Sequence, residues 1–137
     1  MKLIAYLNFE GCANEAINFY KDIFDAQITY MMKYGDAPDL PDFLKGAEHS
    51  DKILHSCLKF DGNELFISDS VDGSYKRGNN ISLTLNFDDI SDQKIIFDQL
   101  AKNGEIIMPL DNMFWGSKFG SVIDQYGIYW SLDCELQ

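Results

Sequence analysis

The feature that most constrains the fold of this chain is an internal repeat, in which matching residues lie 78 positions apart. Leu7-Asn8-Phe9-Glu10 matches Leu85-Asn86-Phe87-Asp88, and the same offset pairs Ile17 with Ile95, Phe19 with Phe97 and Ile28 with Ile106. The matches fall in both strand-like and helix-like segments, as expected for a duplicated unit. The sequence therefore predicts one domain over residues 1–137, built from module one (residues 1–70) and module two (residues 78–137).

Each module is predicted to follow the order β-α-β-β-β, which makes the chain an α+β protein with a curled mixed sheet around a cleft. The strands are expected at Leu3–Phe9, Gln27–Lys33, Lys52–Phe60 and Glu64–Asp69, and again at Ile81–Phe87, Glu105–Pro109, Gly120–Asp124 and Ile128–Asp133. Asn14 and Ser91 are the expected N-caps of the two helices, and Gly104 is the expected C-terminal stop of the second. Asp61-Gly62 predicts a tight hairpin turn. The long segment 35–51 carries two prolines and little periodicity, so we expect a mobile lid there.

The charge balance excludes several classes of partner. The chain has 22 acidic and 11 basic residues, a net charge of −11, so we expect neither nucleic acid nor a membrane as partner. Arginine is the side chain best suited to bind phosphate, and the chain has only one, Arg77, so a heavily phosphorylated ligand is not expected. No apolar run approaches the length of about 20 residues that a helix needs to span a bilayer. Three widely spaced cysteines are interpreted as reduced thiols, and the protein is expected to be cytoplasmic.

Local motifs across nearly the whole chain resemble the PhnB-like branch of the vicinal-oxygen-chelate superfamily, which includes glyoxalase I, extradiol dioxygenases and bleomycin-resistance proteins. The motifs are Tyr6-Leu7-Asn8-Phe9, Ala16-Ile17-Asn18-Phe19-Tyr20, Tyr34-Gly35-Asp36-Ala37-Pro38, Ser68-Asp69-Ser70, Met108-Pro109-Leu110, Phe114-Trp115-Gly116 and Asp124-Gln125-Tyr126-Gly127. The resemblance implies the glyoxalase/bleomycin-resistance fold. Some members of the branch carry the name demethylubiquinone methyltransferase. This chain has no glycine-rich loop between a strand and a helix that would hold a nucleotide-like methyl donor.

Metal-using relatives place one His or Glu ligand on each of four strands. Carried over residue by residue, the resemblance puts these positions at Ile4 and its module-two counterpart Ser82, and at Ser131 and its module-one counterpart Ser68. An aliphatic chain and neutral hydroxyls are poor ligands for a divalent ion. We therefore predict no metal and no other cofactor. A register error of one residue would reverse the sheet face of these side chains and reopen the metal hypothesis.

Two groups of residues are candidates for a functional site. His55, in a predicted strand, is a candidate general base, with Asp69 as the carboxylate that orients it; the alternatives are a hydrogen-bonded sheet histidine and a turn aspartate. The candidate ligand-binding residues are aromatic or carry hydroxyls: Phe114, Trp115, Tyr126, Tyr129, Ser68, Ser82 and Ser131. Core packing is the alternative for the aromatic members.

Together these features favour a PhnB-like protein of unassigned function that binds a small, partly apolar metabolite in a cleft without the usual metal site. A metal-dependent lyase or dioxygenase of the glyoxalase type is one alternative, and a non-catalytic protein that sequesters a drug or metabolite is another. The sequence leaves open whether any reaction is catalysed. We also expect a homodimer, because apolar strand edges need to be covered.

Overall fold

The computed structural model describes residues 1–137, and the chain divides into two compact units, Met1–Lys76 and Arg77–Gln137. The first unit contains module one. Its elements are β1 (Ala5–Phe9), α1 (Ala13–Phe24), β2 (Gln27–Lys33), β3 (Ile53–Phe60) and β4 (Asn63–Asp69). They form a four-stranded sheet in the order β1-β4-β3-β2, in which only the β1–β4 pair is parallel.

The second unit repeats this arrangement as module two. Its elements are β5 (Leu83–Phe87), α2 (Ile90–Ala101), β6 (Glu105–Asn112), β7 (Ser117–Ile123) and β8 (Tyr129–Glu135), and the sheet order is β5-β8-β7-β6. The β5–β8 pair is parallel and the other two pairs are antiparallel. The predicted β-α-β-β-β order is therefore confirmed in both modules. The largest boundary errors are at β6, which continues past Pro109 to Asn112, and at β7, which begins at Ser117 instead of Gly120.

The repeat offset of 78 holds for the first two strands of each module, but the last two strands follow shorter offsets and the helices an offset of 77. Strands β1 and β5 begin 78 residues apart, whereas α1 begins at Ala13 and α2 at Ile90, which are 77 apart. The buried residues follow the shorter offset, since Ala16, Tyr20 and Ile23 correspond to Gln93, Phe97 and Leu100. The alignment of Ile17 with Ile95 is therefore an error, and Ile95 is exposed. The loop before α2 is one residue shorter than the loop before α1.

Both predicted N-caps are wrong, because each helix begins before the residue chosen from the sequence. In module one, Cys12 occupies the N-cap position without a side-chain hydrogen bond, and Asn14 lies inside α1. In module two, the N-cap is Asp89, whose Oδ1 accepts hydrogen bonds from the backbone N–H groups of Ser91 and Asp92. Aspartate is as favourable an N-cap as serine, so Ser91 had no energetic advantage over Asp89.

A two-residue turn sets the register of the β3–β4 hairpin in module one. Asp61 and Gly62 both have positive φ, as a two-residue type I′ hairpin requires, so the predicted turn is confirmed.

The segment predicted as a lid contains three single-turn 3-10 helices, Tyr34–Asp36, Asp42–Leu44 and Ala47–His49. Its ends are joined by hydrogen bonds from Tyr34 N to Lys52 O and from Gly35 N to Ser50 O. Its closure over a cleft stays a prediction.

Candidate functional site

Each sheet has one face packed on its helix and one face free of it, because successive side chains of a strand point in opposite directions. In module one, Leu7, Leu58 and Ile67 are buried on the helix side. The strand register places Tyr6, Phe66 and Cys57 in one row on the opposite face. We call this second surface the helix-free face. The side chains of Ile4, Ser68 and His55 point to the same face, because each lies two residues along the chain from a member of this row.

An aromatic cluster surrounds His55 on this face. The Tyr6 hydroxyl lies 2.8 Å from Nδ1 of His55. The rings of Tyr6, Tyr30 and Phe66 lie with their centroids 5.5, 5.6 and 4.8 Å from the imidazole. Tyr6 and Tyr30 remain 44% and 45% exposed, so solvent reaches the cluster. The imidazole is thus held by packing and by one hydrogen bond, while Nε2 makes no hydrogen bond within the protein.

Charges beside the cluster are paired with one another. Glu64 lies 2.9 Å from Nζ of Lys2 and 3.2 Å from Nζ of Lys59. Hydrogen bonds from these two ammonium groups hold the pKa of Glu64 below its ordinary value. Ser68, which the sequence selected as a ligand-binding residue, donates a hydrogen bond from its hydroxyl to Oδ1 of Asn8 at 3.2 Å. The polar groups next to the aromatic rings are therefore mostly neutral or neutralised.

The predicted pairing of Asp69 with His55 is wrong. Asp69 is only 2% exposed, and its Oδ1 accepts hydrogen bonds from the N–H groups of Gly11 and Ala13 at the start of α1. Its Oδ2 accepts from Ile53 N at the start of β3. Asp69 follows Ser68 directly, so its side chain points to the helix side of the sheet. The residue that orients His55 is Tyr6, which was not among the predicted site residues. Tyr6 lies two residues after Ile4, so its side chain points to the same face of the sheet, and this spacing could have identified it.

The region around Asp69 is further closed by Tyr34. The phenol of this buried residue donates a hydrogen bond to the backbone oxygen of Asp69 at 2.8 Å. Burial, followed by the nearby Asp69 carboxylate, raises the pKa of Tyr34 above its ordinary value. The phenol therefore stays protonated and keeps its donor role across the physiological pH range. Asp69 and Tyr34 anchor α1 and the loop that follows β2, and they take no part in the exposed cluster.

Module two carries a pocket of about 290 Å³ on the corresponding face of its sheet. Gly120 faces Phe97 of α2, so its neighbour Ser121 points to the helix-free face. Ser121 pairs with Ser131 across β7 and β8. The pocket is lined by these two serines together with Asn80, Ser82, Ile107 and Tyr129 among others. Three of the residues selected from the sequence, Ser82, Ser131 and Tyr129, thus meet at one pocket.

The assumed correspondence between Ser131 and Ser68 is wrong by two residues. Tyr6 pairs with Phe66 in module one, and its repeat partner Thr84 pairs with Ser131 in module two. Ser131 therefore corresponds to Phe66. By the same register Asn8 pairs with Ser68 and Asn86 with Asp133, so Ser68 corresponds to Asp133. A shift of two residues keeps the sheet face, which is why these serines still lie on the helix-free faces.

The remaining aromatic candidates lie away from this pocket. Phe114 and Trp115 form the tip of the β6–β7 hairpin, where they are 98% and 53% exposed. Their rings contact each other at 5.1 Å, and Trp115 also lies 6.1 Å from Phe119. Tyr126 belongs to the turn before β8, where its backbone N–H donates to Oδ1 of Asp124. The structure therefore does not bring Phe114, Trp115 and Tyr126 together with Tyr129 in one pocket.

The metal that the resemblance implies does not fit the side chains present. The four positions taken from the sequence carry one aliphatic chain and three hydroxyls, and Phe66, which replaces Ser68 when the register is corrected, carries an aromatic ring. None of these side chains offers an anionic oxygen or an imidazole nitrogen to offset dehydration of a divalent ion. No group of three or more His, Cys, Asp or Glu side chains in the structure has an arrangement that could hold a metal ion. Asp133, which corresponds to Ser68, is a single carboxylate. We therefore assign no chemical step to a metal.

Comparison with known proteins identifies the family. A family model described as 3-demethylubiquinone-9 3-methyltransferase matches residues 1–133. Protein YjdN of Escherichia coli (strain K12) is 28% identical over 143 residues, which cover 100% of this chain and 97% of YjdN. The crystal structure of PA1353 from Pseudomonas aeruginosa has a TM-score of 0.85 and 29% identity, covering 100% of this chain and 99% of PA1353.

A second similar structure is that of the PhnB protein from Bacillus cereus, with a TM-score of 0.79, 29% identity and coverage of 98% of this chain and 99% of PhnB. The fosfomycin resistance protein FosX from Listeria monocytogenes shares the fold, with a TM-score of 0.65 at 12% identity, over 98% of this chain and 92% of FosX. No helix of the structure is long and apolar enough to span a membrane. Because the family model covers all but the last four residues, the chain belongs to the PhnB-like family named 3-demethylubiquinone-9 3-methyltransferase, which has the vicinal-oxygen-chelate fold.

Proposed function

We propose that this protein binds a small, partly apolar organic molecule on the helix-free face of module one, with His55 and Tyr6 holding its polar group. One observation carries the proposal: the imidazole of His55 is fixed by Tyr6 and framed by three aromatic rings, while its Nε2 has no partner within the protein. Aromatic side chains supply most of the contact area of small-molecule sites, and a few placed polar groups supply orientation.

The hydrogen bond between Tyr6 and His55 determines what Nε2 offers to a ligand. If the Tyr6 hydroxyl donates to Nδ1, the proton of the neutral imidazole lies on Nε2, which then acts as a donor. If Nδ1 carries the proton and donates to the Tyr6 oxygen, Nε2 becomes an acceptor. The same pair thus suits either a carbonyl or a hydroxyl of the ligand. It also offers the hydrogen-bonded partners that general acid–base catalysis needs.

The absence of a glycine-rich loop bears on the activity in the family name. The connection from β1 to α1 contains one glycine, Gly11, and the connection from β5 to α2 is Asp88-Asp89. A nucleotide-like methyl donor is usually held by backbone N–H groups of a glycine-rich turn before a helix. In module one, the N–H of Gly11 donates instead to Asp69. We therefore propose ligand binding, with any reaction carried by Tyr6 and His55, in preference to methyl transfer.

Removal of the Tyr6 hydroxyl tests the proposal. A set of small phenols, quinones and cyclic ketones is screened by protein NMR, and the variant Tyr6→Phe is compared with Tyr30→Phe. Both changes delete one hydroxyl from a half-exposed ring of the same cluster, but the Tyr30 hydroxyl contacts only Sδ of Met32, at 3.7 Å. Loss of one hydrogen bond is expected to weaken binding about five-fold in Tyr6→Phe, since its net worth is about 1 kcal/mol.

Tyr30→Phe should leave the affinity within about two-fold of the parent, because it disturbs neither His55 nor the ring contacts. Nitrogen NMR of His55 reports its tautomer, which should shift in Tyr6→Phe alone. Equal losses in the two variants, or bound compounds that leave the signals of His55 unchanged, would contradict the proposal. Turnover of a bound compound separates an enzyme from a protein that only sequesters its ligand.

Self-association is part of the proposal. Strands β2 and β6 each end their sheet, and both expose apolar side chains, among them Tyr30, Met31, Ile106 and Met108. Such edges are normally covered, and pairing with a second copy is one way to cover them. Light scattering at micromolar concentration is expected to give twice the 15.7 kDa of one chain. A mass of one chain at every concentration would contradict the dimer. The cytoplasmic location also stays a prediction.

A further inference from the structure

We infer that module two holds a binding pocket selective for uncharged compounds that carry several hydroxyl or carbonyl groups. The inference deepens the proposed function, because it presumes that the protein binds small molecules, but it depends on different residues. It starts from a difference between the modules at equivalent places in their sheets. In module one, three neighbouring strands contribute Tyr6, Phe66 and Cys57 to one row of the helix-free face.

The same row in module two consists of Thr84, Ser131 and Ser121. Two aromatic rings are thus replaced by two small hydroxyl-bearing residues. In module one the rings of Tyr6 and Phe66 pack edge to face with centroids 5.6 Å apart, and they fill this place. In module two, Ser131 stands in place of the Phe66 ring, and it lines the pocket of about 290 Å³ together with Ser121 of the same row. This volume is at the lower end of the range for ligand pockets, and it suits a molecule of about one ring.

The polar groups of the pocket are available to a ligand. The hydroxyls of Ser82, Ser121 and Ser131 make no hydrogen bond within the protein, and neither does the side-chain amide of Asn80 nor the phenol of Tyr129. Each of these groups can donate and accept. Groups of this kind gathered at one concave surface are what a ligand with several hydroxyl or carbonyl groups requires, because every polar group that it buries needs a partner.

The charge of the pocket determines which ligands it excludes. No Asp, Glu, Lys, Arg or His lines it. A carboxylate or phosphate that entered would lose water without meeting a cation, which is costly. A divalent ion would meet only neutral oxygens. Ile81 and Ile107 supply an apolar wall, and both are substantially exposed, so a ligand would cover apolar surface as well as form hydrogen bonds. An uncharged ring compound with several oxygens satisfies all of these conditions.

The test uses two pairs of probes that differ in charge, with the full-length protein labelled for NMR. The neutral members are methyl β-glucopyranoside and 4-hydroxybenzamide, and the carboxylate members are methyl β-glucuronide and 4-hydroxybenzoate. We expect at least one neutral probe, at millimolar concentration, to shift the amide signals of Ser82, Ser121 and Ser131 in a saturable way. Its carboxylate partner should bind at least ten-fold more weakly, because the pocket has no cation to meet it.

Two substitutions of nearly equal shape assign the effect to a hydroxyl. Ser131→Thr keeps the hydroxyl and Ser131→Val replaces it with a methyl group, while both residues are well suited to a strand. Binding of the neutral probe should be about five-fold weaker in Ser131→Val than in Ser131→Thr. Equal binding by the two variants would overturn the inference, since a purely steric or folding role of residue 131 affects both alike.

The inference fails separately from the proposed function. A probe that shifts only the signals of Tyr6 and His55 in module one would support the proposed function and overturn the neutral pocket. Binding of a carboxylate probe as tightly as its neutral partner would also overturn it. Shifts confined to module two would support the pocket and count against the role assigned to His55. If no probe binds at either module, this inference is overturned.

Discussion

Replacing Asp69 by alanine is expected to lower the free energy of unfolding by about 4 kcal/mol, because two buried N–H groups and one partly buried N–H group lose their acceptor. The carboxylate accepts from Gly11 and Ala13 at distances of 2.8 and 3.0 Å, and from Ile53 at 2.9 Å. Asp69 is the last residue of β4, and its carboxylate thereby links the start of α1 to the start of β3. Urea unfolding followed by circular dichroism measures the loss.

The control for this prediction is Asp51→Ala, which removes an exposed carboxylate that makes no side-chain hydrogen bond. It should leave the midpoint of unfolding unchanged within error. The conservative change Asp69→Asn keeps one acceptor oxygen and should fall between alanine and the parent. A loss below about 1 kcal/mol in Asp69→Ala would show that water replaces the carboxylate, and the anchoring role would then be wrong.

The second large effect is expected for Gly104→Ala, which should destabilise the protein by about 3 kcal/mol. Gly104 lies directly before β6, whose first residue Glu105 pairs with Ile123 at the end of β7. A Cβ at position 104 would overlap the backbone oxygen of Ile123, closer than real Cβ contacts come. Since the obstacle is backbone and not a flexible side chain, the β6–β7 pair would have to move apart.

Gly78→Ala is the matched control, because the added Cβ would meet only Oδ1 of Asn80, at the ordinary contact distance of 3.8 Å. It should be neutral or slightly stabilising, since alanine restricts the unfolded chain. Thermal unfolding of the two variants and the parent gives the comparison. Equal stability of Gly104→Ala and Gly78→Ala would show that the β6 end relaxes freely and would contradict the prediction.

These two positions were not recognised for these roles in the sequence. Asp69 looked like a turn residue or a partner of His55, because a carboxylate at a strand end is compatible with both. Its actual partners are 58, 56 and 16 residues away along the chain. Gly104 looked like a helix stop, which is a local reason for a glycine. The close approach of Ile123 is a tertiary reason and leaves no local pattern.

The sequence by itself determined the element order, the duplication, the family resemblance and the Asp61-Gly62 turn, because each of these depends on periodicity or local backbone preference. It also determined the face of Ser82 and Ser131, since alternation in a strand depends only on parity. The helix offset was lost because a one-residue deletion before α2 changes which residues are buried without erasing the apolar pattern.

Only the tertiary structure decided which side chains meet. Parallel pairing of β1 with β4 brings Tyr6 beside Phe66, 60 residues away, and antiparallel pairing of β3 with β4 adds the strand that carries His55. The same register in module two places Thr84 and Ser131 where module one has the rings of Tyr6 and Phe66, and Ser131 lines a pocket there. Strand register across long sequence separations is set by the packing of whole sheet faces and by turns acting together, which is why no local stretch of this sequence encodes the site.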